Sequence, residues 1–309
     1  MLQGLYNNCH LCPRSCGANR NAGEKGFCGM TDRFVAARAA LHMWEEPCIS
    51  GRNGSGTVFF SGCTLGCVYC QNRNIALGLA GKEIPKERLV EIFFELADQG
   101  ANNINLVTAD HFIPGVAEAI KEAKKEGFSL PFLLNTGSYI HADTLKLLDG
   151  LVDIYLPDLK YIDPKTAGSF SHAPDYPEIA KAAIDEMVRQ LRSRCGGQRI
   201  ETVFNGQGIM QRGIIIRHLL LPGRVLEAKL IVKYLFEKYG DEVYLSLMNQ
   251  YTPPADPAER IPKLARKVTE AEYRSLIGYA AELGVKNGFM QEGETADESF
   301  IPEFDGEGV

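Results

Sequence analysis

Three cysteines stand close together directly after a short apolar segment, and this arrangement constrains the chain more than any other feature. Cys63, Cys67 and Cys70 follow residues 57–62, whose sequence TVFFSG is typical of a buried strand. Three thiolates in one short loop can hold three irons of a cubane iron–sulfur cluster, which is usually bound by four cysteines. One iron would then keep an open position for a substrate or cofactor. Gly66 gives the loop the freedom to fold tightly around such a cluster.

Zinc, or cysteines that bind no metal, are the alternatives for this loop. Zinc sites usually have four ligands that come in pairs along the chain. The spacing here, three residues and then two, favours an iron–sulfur cluster instead. Cysteine usage over the whole chain agrees, because nine cysteines in clusters, with no secretion signal, do not suggest a disulfide framework.

Beyond about residue 55, short apolar segments alternate with amphipathic ones. The predicted strands are residues 57–62, 103–108, 131–136, 152–156, 213–221 and 242–248. The predicted helices are residues 85–100, 116–125, 143–149, 179–192, 226–239 and 270–283. Six strand–helix units predict an α/β fold with a parallel sheet, either an open doubly wound sheet or a partial barrel. In both architectures the active site lies at the carboxyl ends of the strands.

Composition divides the chain into three predicted parts. These are a cysteine-rich metal-binding segment at 1–50, an α/β domain at 51–290 and a C-terminal tail at 291–309. The tail is acidic and polar apart from Phe300, Ile301 and Phe304, which predict that it packs on the body of the protein.

Four more cysteines form a second set near the N-terminus. Cys9, Cys12, Cys16 and Cys28 have the spacing C-x2-C-x3-C-x11-C. Four thiolates in a segment with little core could bind one zinc tetrahedrally, and the metal would then supply folding energy. They could equally hold a second iron–sulfur cluster that relays electrons. The remaining alternative is that only some of them ligate metal, or that none does.

Charge and hydropathy exclude several classes of partner. The formal net charge is -6, which does not favour nucleic acid or an anionic membrane. No apolar run approaches the ~18 residues of a transmembrane helix. The N-terminus lacks the basic and then apolar pattern of a signal peptide. A cytoplasmic enzyme is therefore predicted.

The cysteine loop and the strand–helix pattern together resemble the radical S-adenosylmethionine (SAM) superfamily, which combines this spacing with a partial (β/α)6 barrel. Tyr69 matches the family's aromatic residue before the third cysteine, near the adenine of SAM. The resemblance implies that SAM chelates the open iron of a 4Fe-4S cluster bound by Cys63, Cys67 and Cys70. One electron, from a donor such as flavodoxin or ferredoxin, then yields methionine and a 5′-deoxyadenosyl radical, which takes hydrogen from a substrate.

A closer resemblance, to uncharacterised homologues of pyruvate formate-lyase activating enzyme, extends over most of the chain. The segments that carry it are residues 9–16, 23–28, 45–48, 70–72, 153–160 and 217–223. It implies an activase that installs a glycyl radical on a partner protein. An enzyme acting on a small molecule or peptide is the first alternative, and a non-catalytic zinc-binding module is the second.

The same resemblance implies SAM-binding residues at the strand ends. Asp158 and Lys160 match an Asp-x-Lys pattern that faces the methionine part of SAM, and Arg217 matches an arginine with a similar role. His218, the next residue, is the best catalytic candidate among the histidines.

Two further stretches depart from the family pattern. Asn135 and Thr136 match a stretch that helps to bind a monovalent cation, but asparagine stands where aspartate is usual. The glycine-rich motif expected after the second strand is replaced by residues 107–111, VTADH, which predicts altered recognition of the SAM amine.

Overall fold

An open ten-stranded sheet runs through the computed structural model, which describes residues 2–253, 262–291 and 302–309. The strands are β1 (Phe34–His42), β2 (Ser55–Phe60), β3 (Lys82–Ile84), β4 (Ile104–Val107), β5 (Phe132–Thr136), β6 (Ile154–Pro157), β7 (Val203–Phe204), β8 (Met210–Leu219), β9 (Tyr244–Met248) and β10 (Gly288–Met290). Their order is β10-β9-β8-β6-β5-β4-β2-β1-β3, and β7 pairs with β8.

The six predicted strands are confirmed as the parallel centre of this sheet. They are β2, β4, β5, β6, β8 and β9, and each is parallel to its neighbour. Every residue of β2, β4, β5 and β6 is buried. Strands covered on both faces read as continuous apolar runs, which is why the sequence revealed them. The architecture is the partial barrel that the resemblance implied.

Nine α-helices are present in the described residues. They are α1 (Pro47–Ser50), α2 (Arg73–Ala76), α3 (Lys86–Asp98), α4 (Ile113–Lys125), α5 (Ala142–Leu145), α6 (Pro164–Ser171), α7 (Tyr176–Ser193), α8 (Val225–Tyr239) and α9 (Glu270–Leu283). The predicted helices correspond to α3, α4, α5, α7, α8 and α9. None of the helices in the described ranges combines the length and apolarity needed to cross a membrane.

The first strand lies inside the segment that the sequence marked as cysteine-rich. β1 pairs antiparallel with β2, so the predicted boundary at residue 50 comes after a strand of the main sheet. The sequence of β1, FVAARAALH, is rich in alanine and carries Arg38, and neither feature is typical of a buried strand.

The described part of the tail covers the edge of β1. The N–H of Gly306 donates to Ala37 O at 3.0 Å, and the N–H of Ala39 donates to Glu307 O at 2.8 Å. Phe304 packs edge-on against Phe59, with 5.4 Å between ring centroids, as the apolar residues of the tail predicted. Phe300 and Ile301 lie outside the described residues.

Candidate functional site

A cavity of ≈ 280 Å³ opens at the carboxyl ends of the parallel strands. The loop after β2 and the ends of β5, β6 and β8 form much of its wall. Eight residues predicted for the site line it, namely Cys63, Cys67, Tyr69, Cys70, Asn135, Asp158, Lys160 and Arg217. The structure therefore brings together in one place the cysteine loop and the charged residues of the strand ends.

The cysteine loop brings three buried or half-buried thiols to one side of this cavity. Cys63 Sγ accepts a hydrogen bond from the N–H of Leu65 at 3.4 Å, and Cys67 Sγ accepts one from Ser171 Oγ at 3.0 Å. Burial raises the pKa of the Cys63 thiol to about 11 and that of Cys70 to about 12. Thiolates at these positions need a compensating cation, because burial disfavours the charged form.

The donor set of the loop fits a 4Fe-4S cluster with one iron open to a ligand. Three cysteine sulfurs adjoin the cavity, and no fourth cysteine is among the described residues that line it. No three Cys, His, Asp or Glu side chains in the described ranges already have the spacing of a metal site. The fit therefore rests on the chemistry of the donors and on their shared cavity.

A chain of hydroxyl groups connects the aromatic wall of the cavity to the cysteine loop. Tyr161 Oη donates to Tyr69 Oη at 2.8 Å and lies 2.7 Å from Ser171 Oγ, which in turn donates to Cys67. The Tyr69 ring also packs edge-on against Tyr251, with 6.2 Å between centroids. These contacts hold the Tyr69 ring in place within the cysteine loop. It presents a flat apolar surface on which a nucleobase can stack.

Buried charges at the ends of β6 and β8 form one connected network. Arg217 Nε pairs with Asp158 Oδ1 at 3.0 Å, and its Nη1 pairs with Glu45 Oε2 at 3.2 Å. Arg217 Nη2 also donates to Asn135 Oδ1 at 2.5 Å. Lys160 Nζ pairs with the other oxygen of Asp158 at 2.5 Å. Two cations and two carboxylates therefore face the cavity within a single set of contacts.

The charged state of this network is maintained by its own members. Burial alone would raise the pKa of Asp158, but Lys160 and Arg217 outweigh it and hold that pKa below its usual value. Burial likewise works against the charge of Lys160, and Asp158 raises the pKa of that ammonium above its usual value. Asp158, Lys160 and Arg217 thus stay ionised at neutral pH and can bind a ligand that carries both charges.

Glu45 is a site residue that sequence reasoning missed. It lines the cavity, accepts hydrogen bonds from Asn105 Nδ2 at 3.0 Å and Asn135 Nδ2 at 3.2 Å, and pairs with Arg217. The next residue, Glu46, is buried with Oε2 lacking a hydrogen-bond partner, and burial raises its pKa. The only signal in the sequence was the closer family resemblance of residues 45–48.

Asp110 is the second residue that the sequence did not single out for the site. It lines the cavity at 3% exposure, and its Oδ1 has no hydrogen-bond partner among the described residues. Burial raises the pKa of Asp110 to about 6, although a hydrogen bond with Thr136 opposes the shift. This carboxyl group lies in the predicted segment 107–111 and can accept a hydrogen bond from a cationic ligand.

We expect the raised pKa of Asp110 to lower stability as the pH rises. The folded pKa of about 6 exceeds the ordinary value of 3.8, so the folded state holds the proton more tightly. The associated stability is present below about pH 4 and is lost as pH rises through about 6, a change of about 3 kcal/mol. Urea unfolding from pH 4 to 7 should show this loss for the original protein relative to Asp110→Asn. A difference that is constant over this range would contradict the assignment.

Thr136 and His218 are not among the residues that line the cavity. Successive side chains of a strand point to opposite faces, so Arg217 faces the cavity while His218 points away. Thr136 reaches the site only through its hydrogen bond with Asp110, which does line the cavity. His218 Nδ1 lies 2.8 Å from Leu159 O, and burial lowers the pKa of the ring to about 4. Its catalytic role stays a prediction, and these contacts are those of a neutral packing residue.

The N-terminal cysteines lie outside the cavity but are tied to the cysteine loop. Arg14, between Cys12 and Cys16, donates to Thr64 O and Leu65 O, each at 3.0 Å. The same guanidinium donates to carbonyl oxygens at residues 171 and 172. The segment that carries the second cysteine set is thus fixed against the loop that carries the first.

Comparisons with known proteins give one family-model match and one curated relative. Residues 57–208 match the family model described as the radical SAM superfamily. An uncharacterized protein of Methanocaldococcus jannaschii is 26% identical over 285 residues, which are 90% of this chain and 75% of that protein.

Solved structures of low sequence identity are also similar. SuiB of Streptococcus suis bound to S-adenosylmethionine is 13% identical, with a TM-score of 0.45 over 75% of this chain and 48% of that chain. A domain of pyruvate-formate lyase-activating enzyme from Bacteroides vulgatus is 15% identical, with a TM-score of 0.39 over 58% of this chain and 91% of that chain. The chain spans about half the length of SuiB.

Proposed function

The chain belongs to the radical SAM superfamily, and from this premise we propose that its cavity binds a 4Fe-4S cluster and SAM for hydrogen abstraction from a substrate. The observation that carries the proposal is the shared cavity of the three cysteines and the Arg217–Asp158–Lys160 network. When bound, the cluster and SAM supply one-electron cleavage of a carbon–sulfur bond, which gives methionine and a 5′-deoxyadenosyl radical.

The residues of the chain bind and orient the cofactors for this chemistry. Cys63, Cys67 and Cys70 would hold the cluster. Lys160 and Arg217 present positive charge to a carboxylate, and Arg217 does so with a rigid, planar group of donors. Asp110 offers its unpartnered oxygen to an ammonium group. Since one ligand carrying both charges satisfies both ends, an amino acid moiety is the class of ligand that this wall suits.

Anaerobic reconstitution tests the proposed function directly. The protein should take up iron and sulfide and form 5′-deoxyadenosine from SAM when a reductant is present. Cys67→Ser is expected to lose deoxyadenosine formation entirely, because the cluster loses one of its three ligands. Cys195→Ser is the matched control, since Cys195 does not line the cavity, and it should behave like the unmodified protein. A colourless zinc protein that yields no deoxyadenosine would refute the proposal.

For the substrate, we propose a protein or peptide, with a glycyl radical partner as the specific hypothesis. Trp44 lines the cavity and is 62% exposed, and Met43 beside it is 42% exposed. Exposed apolar side chains at a cavity rim favour a macromolecular ligand over a fully enclosed small one. The test is deuterium transfer into 5′-deoxyadenosine from labelled candidates, because label identifies the hydrogen that is removed. Transfer only from free small molecules would favour the alternative.

The remaining assignments extend this proposal. We propose flavodoxin or ferredoxin as the class of electron donor, and zinc or a second iron–sulfur cluster at Cys9, Cys12, Cys16 and Cys28. A monovalent cation at Asn135, the absence of nucleic-acid and membrane partners, and the cytoplasmic location stay predictions.

A further inference from the structure

A fully buried arginine lies next to the N-terminal cysteines. Arg20 is 0% exposed, and no carboxylate of the described residues forms an ion pair with it. Its guanidinium donates to Thr31 O and to His111 O, the latter at 2.7 Å, and approaches Cys9 Sγ at 3.7 Å. The hydrogen bonds of this cation are therefore made to carbonyl oxygens and to one thiol.

In this environment no carboxylate of the described residues is within ion-pair distance of the Arg20 guanidinium. A guanidinium stays protonated at every accessible pH. A buried charge without a counter-charge costs several kcal/mol, and hydrogen bonds to neutral oxygens offset only part of this. The rings of Tyr6 and Phe112, 4.5 and 5.6 Å from the guanidinium carbon, add a further small attraction. An anion close to Arg20 is expected on these grounds.

Cysteine sulfurs are the groups available to supply that anion. A Cβ added at Gly26 would lie 3.3 Å from Cys16 Sγ, 3.4 Å from Cys28 Sγ and 3.7 Å from Arg20 Cδ. Cys9 Sγ thus lies 3.7 Å from the guanidinium, and the sulfurs of Cys16 and Cys28 share with the Arg20 side chain the space beside Gly26. The backbone N–H groups of Ala18 and Phe27 are also directed at Cys16 Sγ.

We infer that Arg20 is the built-in counter-charge of one anionic metal centre bound by all four thiolates of Cys9, Cys12, Cys16 and Cys28. The inference rests on the N-terminal metal centre proposed above, and it adds the charge of that centre and the arginine that balances it. Four thiolates around Zn²⁺ carry a net charge of about -2, and four around an oxidised 4Fe-4S cluster carry the same. Binding converts four S–H groups to four metal–sulfur bonds and releases their protons to solvent.

The test measures metal content and retention in variants at Arg20. Cys67→Ser is the background, so that the cavity cluster does not contribute. One zinc, or iron with an equal amount of acid-labile sulfide, should remain per chain, and Cys16→Ser should remove it. Arg20→Gln is expected to weaken the retention of metal against a chelator by roughly 10–100-fold, which is the usual effect of replacing a residue that contacts the metal ligands. Arg20→Lys, which keeps the charge, should retain most of the affinity.

The outcomes separate this inference from the proposed function. Metal that is retained equally in Arg20→Gln and Arg20→Lys, or lost equally, would overturn the counter-charge role. A Cys67→Ser protein without metal, with all four N-terminal thiols reactive towards a disulfide reagent, would overturn the centre itself. Deoxyadenosine formation by the unmodified protein is measured independently, so it can fail or succeed without deciding this question. If Arg20→Gln does not fold, Arg20→Lys and Cys16→Ser still give the metal count.

Discussion

Replacing Arg217 by glutamine is expected to abolish deoxyadenosine formation and to lower the free energy of unfolding by about 3–5 kcal/mol. Arg217 is 13% exposed and is the cation shared by Asp158 and Glu45. Its removal leaves Glu45 without a cationic partner in these contacts and the Asp158 carboxylate with Lys160 alone. Breaking a buried pair by removing one partner is costly because it leaves the other charge uncompensated. Urea unfolding and SAM binding in the anaerobically reconstituted protein measure the two effects.

Two further variants test the cause of this loss. Glu45→Gln combined with Arg217→Gln should recover part of the stability, because the glutamine oxygen can still accept from Asn105 and Asn135 without a negative charge. Arg212→Gln is the matched control on the same strand, where the arginine lies 3.8 Å from an exposed Glu201. We expect this surface pair to contribute less than about 1 kcal/mol. A double variant no more stable than Arg217→Gln alone would argue against an uncompensated Glu45 charge.

The sequence predicted the centre of the fold because burial and periodicity are local signals there. Strands β4 and β5 are buried from end to end and mainly apolar, and α3 repeats its apolar residues along one face, so each could be recognised without knowing its neighbours. β1 is held by its pairing with β2 and by the C-terminal tail, and the tail comes from the other end of the sequence. Nothing in its alanine-rich sequence could reveal them.

The site could be predicted where a residue comes directly from a strand end. Asp158 and Arg217 follow from that position and from the family resemblance. Glu45 reaches the cavity from outside the predicted strands, through contacts with Asn105, Asn135 and Arg217 that only the folded chain provides. His218 is the opposite case, a residue that the sequence prediction included but the cavity does not. Alternation along the strand already implies that His218 and Arg217 face opposite sides of the sheet.

Only part of the structure of the N-terminal segment could be predicted from its sequence. Spacing identified four candidate ligands there, but the number of thiolates that bind together depends on tertiary contacts. The burial of Arg20, and the absence of a carboxylate partner for it in the described part of the chain, are properties of the fold, whereas residue type alone implies a solvent-exposed cation.

Gly62→Ala is expected to disrupt the cluster loop, with a loss of about 3 kcal/mol or more in unfolding free energy. Gly62 has φ +88, where an L side chain costs roughly 1–2 kcal/mol. An added Cβ would also lie 2.6 Å from Met30 Cγ and 2.7 Å from Cys28 O. Overpacking of this kind usually costs about 1–3 kcal/mol more. Because Cys63 follows directly, the shift that relieves the clash moves a cluster ligand, and iron uptake should fall with stability.

Gly66→Ala separates the contact from the backbone strain. Gly66 has φ +66, yet no atom of the described residues lies within 4 Å of an added Cβ there, so only the conformational cost applies. The two variants should therefore differ in unfolding free energy by the packing cost alone, and only Gly62→Ala should lose most of its iron after reconstitution. Equal iron content in both would mean that the close approach of the Cys28 carbonyl to Gly62 does not position Cys63. A lower iron content in Gly62→Ala would show that the contact of the N-terminal segment with Gly62 positions the cysteine loop. The fold of that segment and cluster assembly would then depend on each other.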